Sequence, residues 1–167
     1  MGREVRRVPE DWQHPKHIVP DYRIGKMVER YKPLFQGDRY QPLVDDWDDK
    51  CAKWKAGWRP DYCNPESRGL TYEQYAGQRP HKDDYMPDWP AEQCTHLMMY
   101  EDTTEGTPIS PAFKTPEELA QWLVNNNASA FGSETASYEA WLRVARGGLA
   151  LSLVVTDGKM KNGVEAF

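Results

Sequence analysis

The clearest hydrophobic pattern lies in "QPLVDDWDDKCAKWKAGWRP", where Leu43, Trp47, Cys51, Trp54 and Trp58 recur at steps of four, four, three and four. At 3.6 residues per turn these positions share one face, so the spacing predicts a helix over 43–58 with an aromatic stripe turned toward a core. Four aspartates (Asp45, Asp46, Asp48, Asp49) precede Lys50, Lys53 and Lys55, an order that suits the helix dipole. Pro42 fits a first helical position, and Gly57 with Pro60 closes the element. A second helix is marked by its start. In "TPEELAQWLVNNNA", Thr115 is the N-cap, Pro116 takes the first position and Glu118 follows three residues after the cap, which completes a capping box. Leu119, Trp122 and Leu123 form its apolar stripe. In "ASYEAWLRVARGG", Tyr138, Trp141, Leu142 and Ala145 share a face of a third helix, which the glycine pair stops.

Period-two patterns are fewer. "THLMMYE" (95–101) places Thr95, Leu97 and Met99 on one face of a strand and His96, Met98 and Tyr100 on the other. "REVRRVP" reads as a short strand or extended arm, and 149–166 as a β-hairpin closed at Asp157-Gly158. Elsewhere the signals are poorer. Met27, Val28, Tyr31, Leu34 and Phe35 suggest a helix weakened by Gly25 and ended near Pro33. "PEDWQHPKHIVPDY" carries three prolines and predicts no regular structure. Residues 59–93 read as a surface-wrapping segment pinned by Tyr85, Met86 and Trp89, with Thr71 capping a short turn. The expected fold is α+β, one domain over 1–167, with an irregular, helix-containing part (1–94) before a regular part (95–167). A small mixed or antiparallel sheet, built from 95–101 and the 149–166 hairpin, would pack against helices near 116–127 and 136–146. The 43–58 helix would cover a further face, giving three to four helices in all.

Composition changes this picture modestly. Hydrophobic residues are 39% and mean hydropathy is −0.85, yet the chain has 7 Trp, 9 Tyr and 4 Phe. Each aromatic buries roughly 150–250 Å², so a core of few, large side chains is expected. A net charge of −5 argues against a general nucleic-acid binder, and it is too small for a mimic of DNA. Arg3, Arg6 and Arg7 are the only basic cluster and read as a solvated N-terminal segment. Cys51, Cys63 and Cys94 are odd in number and widely spaced, which is no disulfide framework. No apolar run approaches the ~20 residues of a membrane span, and the charged start has no apolar signal core. Together these predict a cytoplasmic protein without membrane association.

Several longer stretches resemble a family of small uncharacterised proteins of bacteriophages and prophages. They are "GREVRRVPEDWQHP", "YMPDWP", "THLMMYEDTTEGTPISPAFKTPEELAQWLVNNNASAFGSETASYEAWL" and "DGKMKNGVEAF". The resemblance covers the two ends, roughly half of the chain, and leaves out residues about 20–80. Longer phage proteins are similar at both ends but join them around a cysteine-rich insert whose paired CxxC knuckles this chain lacks, so no zinc role carries over. The resemblance implies expression in the cytoplasm of an infected bacterium and no particular activity. By analogy of class it implies an accessory protein that binds and modulates or inhibits a host protein, counter-defence (anti-CRISPR-like) factors included.

The candidate chemistry is thin. Cys63, His81, Cys94 and His96 are the only residues worth weighing as zinc ligands. Cys94 and His96 would share a strand face, but the others are distant in irregular chain, so no metal and no cofactor is expected. His96 precedes Glu101, Asp102, Thr103 and Thr104, a set able to do acid–base work or hold a ligand; this is the alternative reading, a small enzyme or a nucleotide- or other ligand-binding protein using His96 and the Thr-rich loop 103–107. No GxSxG, P-loop or GxGxxG motif supports it. The preferred reading is non-catalytic binding of a protein partner. Thr103, Thr104, Glu105, Thr107 and Ile109 would present a Gly/Pro-restricted loop, and Trp12, Trp58 and Trp89 sit in loop contexts beside Pro or Arg. The oligomeric state stays open.

Overall fold

The computed structural model describes residues 2–101, 106–156 and 159–166. The fold is α+β. The chain divides into two compact units, Met1–Leu34 with Trp89–Phe167, and Phe35–Asp88.

The larger unit is organised by a four-stranded antiparallel sheet in the order β5-β4-β1-β6, formed by Thr107–Pro108, His96–Glu101, Arg3–Val8 and Leu149–Ala150. The first strand therefore sits inside the sheet, with Val5 opposite Met99 and Val8 opposite His96. The sheet expected from 95–101 and the 149–166 hairpin differs in this respect. β1 separates β4 from β6, while β7 (Leu153–Thr156) and β8 (Lys159–Asn162) form a hairpin of their own. Asp157-Gly158, read as its turn, lies outside the described residues. Pairing partners about ninety residues apart leave no local trace, which is why the pattern favoured the sequence neighbour.

Alternation along β1 and β4 gives the sheet two different faces. Leu97 and Met99 face α3 (Pro116–Asn125) and α4 (Tyr138–Gly147), joining Leu119, Leu123, Trp141 and Val144 in one buried cluster. Each such side chain contributes roughly 1.5–3 kcal/mol on burial. Both halves of the predicted capping box are present at α3: Glu118 N–H donates to Thr115 Oγ1 and Thr115 N–H to the Glu118 carboxylate. Gly148 ends α4 in the left-handed region at φ 86°. The basic cluster is not a solvated segment. Arg3 and Arg6 are only 2% and 8% exposed, because their strand is interior to the sheet; Arg7 alone is exposed. Burial of a charge requires partners. Arg3 has Glu101 at 3.6 Å and Ser129, and Arg6 has Glu4 at 2.9 Å.

Residues 16–31 correct two expectations at once. The proline-rich stretch contains β2 (Lys16–Asp21), and the expected helix around Met27–Phe35 is instead β3 (Lys26–Tyr31) and the chain beyond it. Gly25 adopts φ 64° and its N–H reaches back to Asp21 O at 2.8 Å. The apolar spacing resembled a helix, but a left-handed glycine between Ile18-Val19 and Met27-Val28 closes a hairpin, with Val19 opposite Val28.

The smaller unit holds α1 (Tyr40–Lys55) and α2 (Tyr72–Ala76). Helix α1 begins at Tyr40, so Pro42 lies inside the first turn, where N–H groups have no partner in the helix. Its buried face is Val44 and Trp54 with Trp47 and Cys51 beside them; Leu43 and Trp58, at the ends of the expected stripe, are exposed. Lys50–Asp46 and Lys53–Asp49 pair one turn apart. Thr71 caps α2 through a capping box with Gln74.

Candidate functional site

The outer face of the sheet, away from α3 and α4, carries Glu4 and Arg6 from β1 and Met98 and Tyr100 from β4. These groups are polar or polarisable, yet buried. What covers them is the chain on either side of the hairpin. Trp12 N–H closes a turn onto Pro9 O, and His14, held extended ahead of Pro15, turns its ring inward. On the return from β3, Lys32 N–H donates to Pro15 O, which sets Lys32 O against the His14 ring.

The hydrogen bonds there have one consistent arrangement. His14 Nε2 stands 2.7 Å from Lys32 O, and a carbonyl only accepts, so Nε2 carries the proton. Nδ1 is then an acceptor, and the Tyr100 hydroxyl at 3.1 Å donates to it rather than to Met98 Sδ at 3.4 Å. Trp12 Nε1–H donates in turn to the Tyr100 oxygen at 3.2 Å. Arg6 lies over the Tyr100 ring, 4.4 Å from its centre, while its Nη1 donates to Leu34 O at 2.7 Å. Burial holds the His14 ring below its usual range; the Lys32 bond opposes this and the Arg6 charge adds to it. Burial pushes Tyr100 up to about 12, against the Trp12 bond and Arg6. At neutral pH both rings are uncharged and fully partnered.

Trp12, His14 and Met98 line a cleft of about 550 Å³, within the ordinary range of ligand sites, roughly 300–1,000 Å³, and the fully buried Tyr100 is hydrogen-bonded to the first two. Trp12, Tyr31 and Trp122 are the cleft's aromatic walls, Pro108–Ala112 a further side, and Glu10, Gln13 and Lys16 its polar rim. The Pro108–Ala112 wall is fixed along β4. Ile109 N–H donates to Met99 O, Met99 N–H to Ser110 Oγ, and Ser110 Oγ to Pro111 O. Leu97 and Phe113 exchange both backbone bonds, at 2.7 and 2.8 Å. Ile109 packs against the helical core while also lining the cleft. With both ring nitrogens engaged internally, His14 offers no proton or lone pair to a substrate in the cleft. What the cleft offers is shape and aromatic surface.

The expected binding residues divide. Trp12 and Ile109 line the cleft, and Trp89 packs edge-on against Trp12 with ring centres 4.7 Å apart. Thr107 lies in β5 opposite Glu101. Trp58 is exposed just past α1 in the smaller unit. Thr103, Thr104, Glu105 and Asp102 lie outside the described residues. Of the alternative ligand set, the two described residues, His96 and Glu101, are not brought together. His96 begins β4 and Glu101 ends it, five residues and roughly 17 Å apart at the rise of a strand. Glu101 is engaged by Arg3, and His96 Nδ1 by Thr95 Oγ1 at 2.9 Å. Cys94 follows a single helical turn (Ala91–Gln93) and precedes the strand, so it does not share a strand face with His96. Among the described residues no three His, Cys, Asp or Glu side chains come together as metal ligands. Sequence reasoning missed His14, Tyr31, Tyr100 and Ser110. The "WQHP" stretch already put His14 beside Trp12, but nothing linked either to Tyr100, 86 residues on from His14.

In comparison with known proteins, no family model, no curated protein and no solved structure matches this chain. Among the described residues no helix is long and apolar enough to cross a membrane.

Proposed function

We propose that this chain is a non-catalytic binding protein, an accessory protein of a bacteriophage that docks on a host protein in the infected cell and modulates it. One observation carries the binding half of this reading. The cleft has aromatic walls, and the histidine that lines it is uncharged with both ring nitrogens already hydrogen-bonded, to Tyr100 and to Lys32. A catalytic histidine needs a free nitrogen within reach of substrate. A docking site needs rigid rings that lose little entropy on binding, and Trp, Tyr and neighbouring cations are the usual anchors. The host partner is supported by the likeness of both chain ends to phage proteins.

The test is affinity purification from infected bacteria with tagged wild-type protein and a Tyr31→Ser variant, which changes an exposed wall of the cleft. One stoichiometric host protein recovered by wild type and lost from the variant is the expected result. A nucleotide or other small molecule co-purifying with no protein partner would overturn the reading.

A further inference from the structure

We infer that the β2–β3 hairpin and the cleft form one continuous groove that takes an extended, carboxylate-bearing segment of the partner protein. This rests on the function proposed above and adds the chemistry of what is bound.

Side chains alternate across the hairpin, so Lys16, Ile18 and Pro20 share a face with Tyr31, Glu29 and Met27 opposite them. The other face is half-covered at Val19 and Val28. This one is open: Ile18 is 69% and Met27 61% exposed, and at the turn Tyr22 and Ile24 are 91% and 59% exposed. A two-stranded ladder is marginal in water by itself, and a contiguous apolar row on one marks an interaction surface. The row ends at the cross-strand pair Lys16–Tyr31, and both residues line the cleft. An open face thus runs from the turn to the cavity, apolar at Met27, Pro20 and Ile18 and crossed by the Lys16–Glu29 ion pair before Tyr31, past strands of six residues, a length of roughly 20 Å that suits about six residues of extended chain.

Charge selects the occupant. Residues 16–32 carry five Lys or Arg and two carboxylates in a chain of net charge −5. Both carboxylates are taken, Glu29 by Lys16 at 2.8 Å and Asp21 by Arg30 at 2.6 Å. Arg23 and Lys26, at the turn, have no carboxylate among the described residues. A segment with apolar side chains along the row and Asp or Glu at the turn end complements this surface. Two hairpins of like charge repel, which disfavours a second copy. A planar bilayer does not enter the cleft, and Ile18, Ile24 and Met27 offer nothing to a phosphate backbone.

Selection of a random peptide library on the full-length protein tests this. The expected result is enrichment of sequences with Asp or Glu near apolar or aromatic residues. Binding of a selected peptide, read by fluorescence anisotropy, should weaken about tenfold or more in Ile18→Ser/Met27→Ser and in Arg23→Glu/Lys26→Glu, with melting temperatures unchanged. The charge-reversed variant should regain affinity for the same peptide carrying Lys in place of its acids. Enriched peptides without acidic residues, or binding indifferent to both variants, overturn the inference. So does binding of oligo(dT), of anionic vesicles, or of a second copy that Ile18→Ser/Met27→Ser abolishes. A host protein captured equally by wild type and both variants would leave the proposed function standing and remove the groove. Groove-dependent peptides with no host protein captured would do the reverse.

Discussion

The larger unit closes on itself across almost the whole chain, whereas the smaller closes on its near neighbours. In the former, strand residues 3–8 pair with 96–101 and Arg3 reaches Ser129. The cluster between its sheet and helices is mostly aliphatic around the buried ring of Trp141. In the latter, residues 35–88 gather rings. Trp54 stacks on Tyr75 at 4.5 Å and Tyr72 meets Trp47 at 5.2 Å, while the Arg59 guanidinium lies 3.8 Å over Trp54 and binds the carbonyls of Trp54, Trp58 and Arg68. The two ends of this segment are tied together, Phe35 N–H to Asp84 O and Met86 N–H to Phe35 O. The lesson concerns how a short segment without a sheet of its own builds a core. It uses a few large side chains and one stacked arginine, where the larger unit uses layered helices on a sheet.

The largest expected effect comes from Trp141→Ala, which should cost about 3–5 kcal/mol and be read by urea denaturation. Hydrogen exchange on the same variant should show the sheet and α4 losing protection while α1 keeps its own. Loss of α1 protection in the same step would mean one cooperative body and break the comparison. Next is a pair of glycines. Gly106 has φ 54°, and a Cβ there would run into the backbone carbonyl of Leu34, so Gly106→Ala should cost about 1–3 kcal/mol. Gly69 in the smaller unit has open space around it, so Gly69→Ala should fall within about ±0.5 kcal/mol. Thermal melts of the two variants decide this.

The matched caps are smaller and sharpen the division. Thr115→Ala and Thr71→Ala should each lose about 0.5–2 kcal/mol. Exchange protection should fall in α3 for the first and in α2 for the second. A crossed response would show that the units are coupled. The gentlest test uses pH. Burial favours neutral His14 in the folded state, so the unfolded chain binds the proton more readily. The resulting stabilisation is complete above the ordinary value of 6.5 and is lost as pH falls below it toward the lowered folded value. Stability measured against pH should therefore slope downward on acidification in the wild type and flatten over that window in His14→Gln. An unchanged slope would remove His14 as the cause.

Local physics made the helices legible in the amino-acid sequence. A capping box acts within four residues and an amphipathic stripe repeats every turn, so α3, α4, the middle of α1 and the Thr71 turn are visible without knowledge of any partner. Strand β4 was visible for the same reason, by its alternation. The hairpin at 16–31 was not, because short apolar runs fit both periods, and it is the left-handed Gly25 that makes one of them. Trp12, Trp89 and Ile109 stood out as aromatic or apolar residues in proline-rich loops; Trp12 and Ile109 line the cleft and Trp89 packs against Trp12. Tertiary structure alone decided that Arg3 and Arg6 are interior and that His14 and Tyr100 share a proton-bearing contact. Each of these depends on the placement of β1 beside β4, and the energy of that pairing lies between segments about ninety residues apart, where no short-range pattern records it.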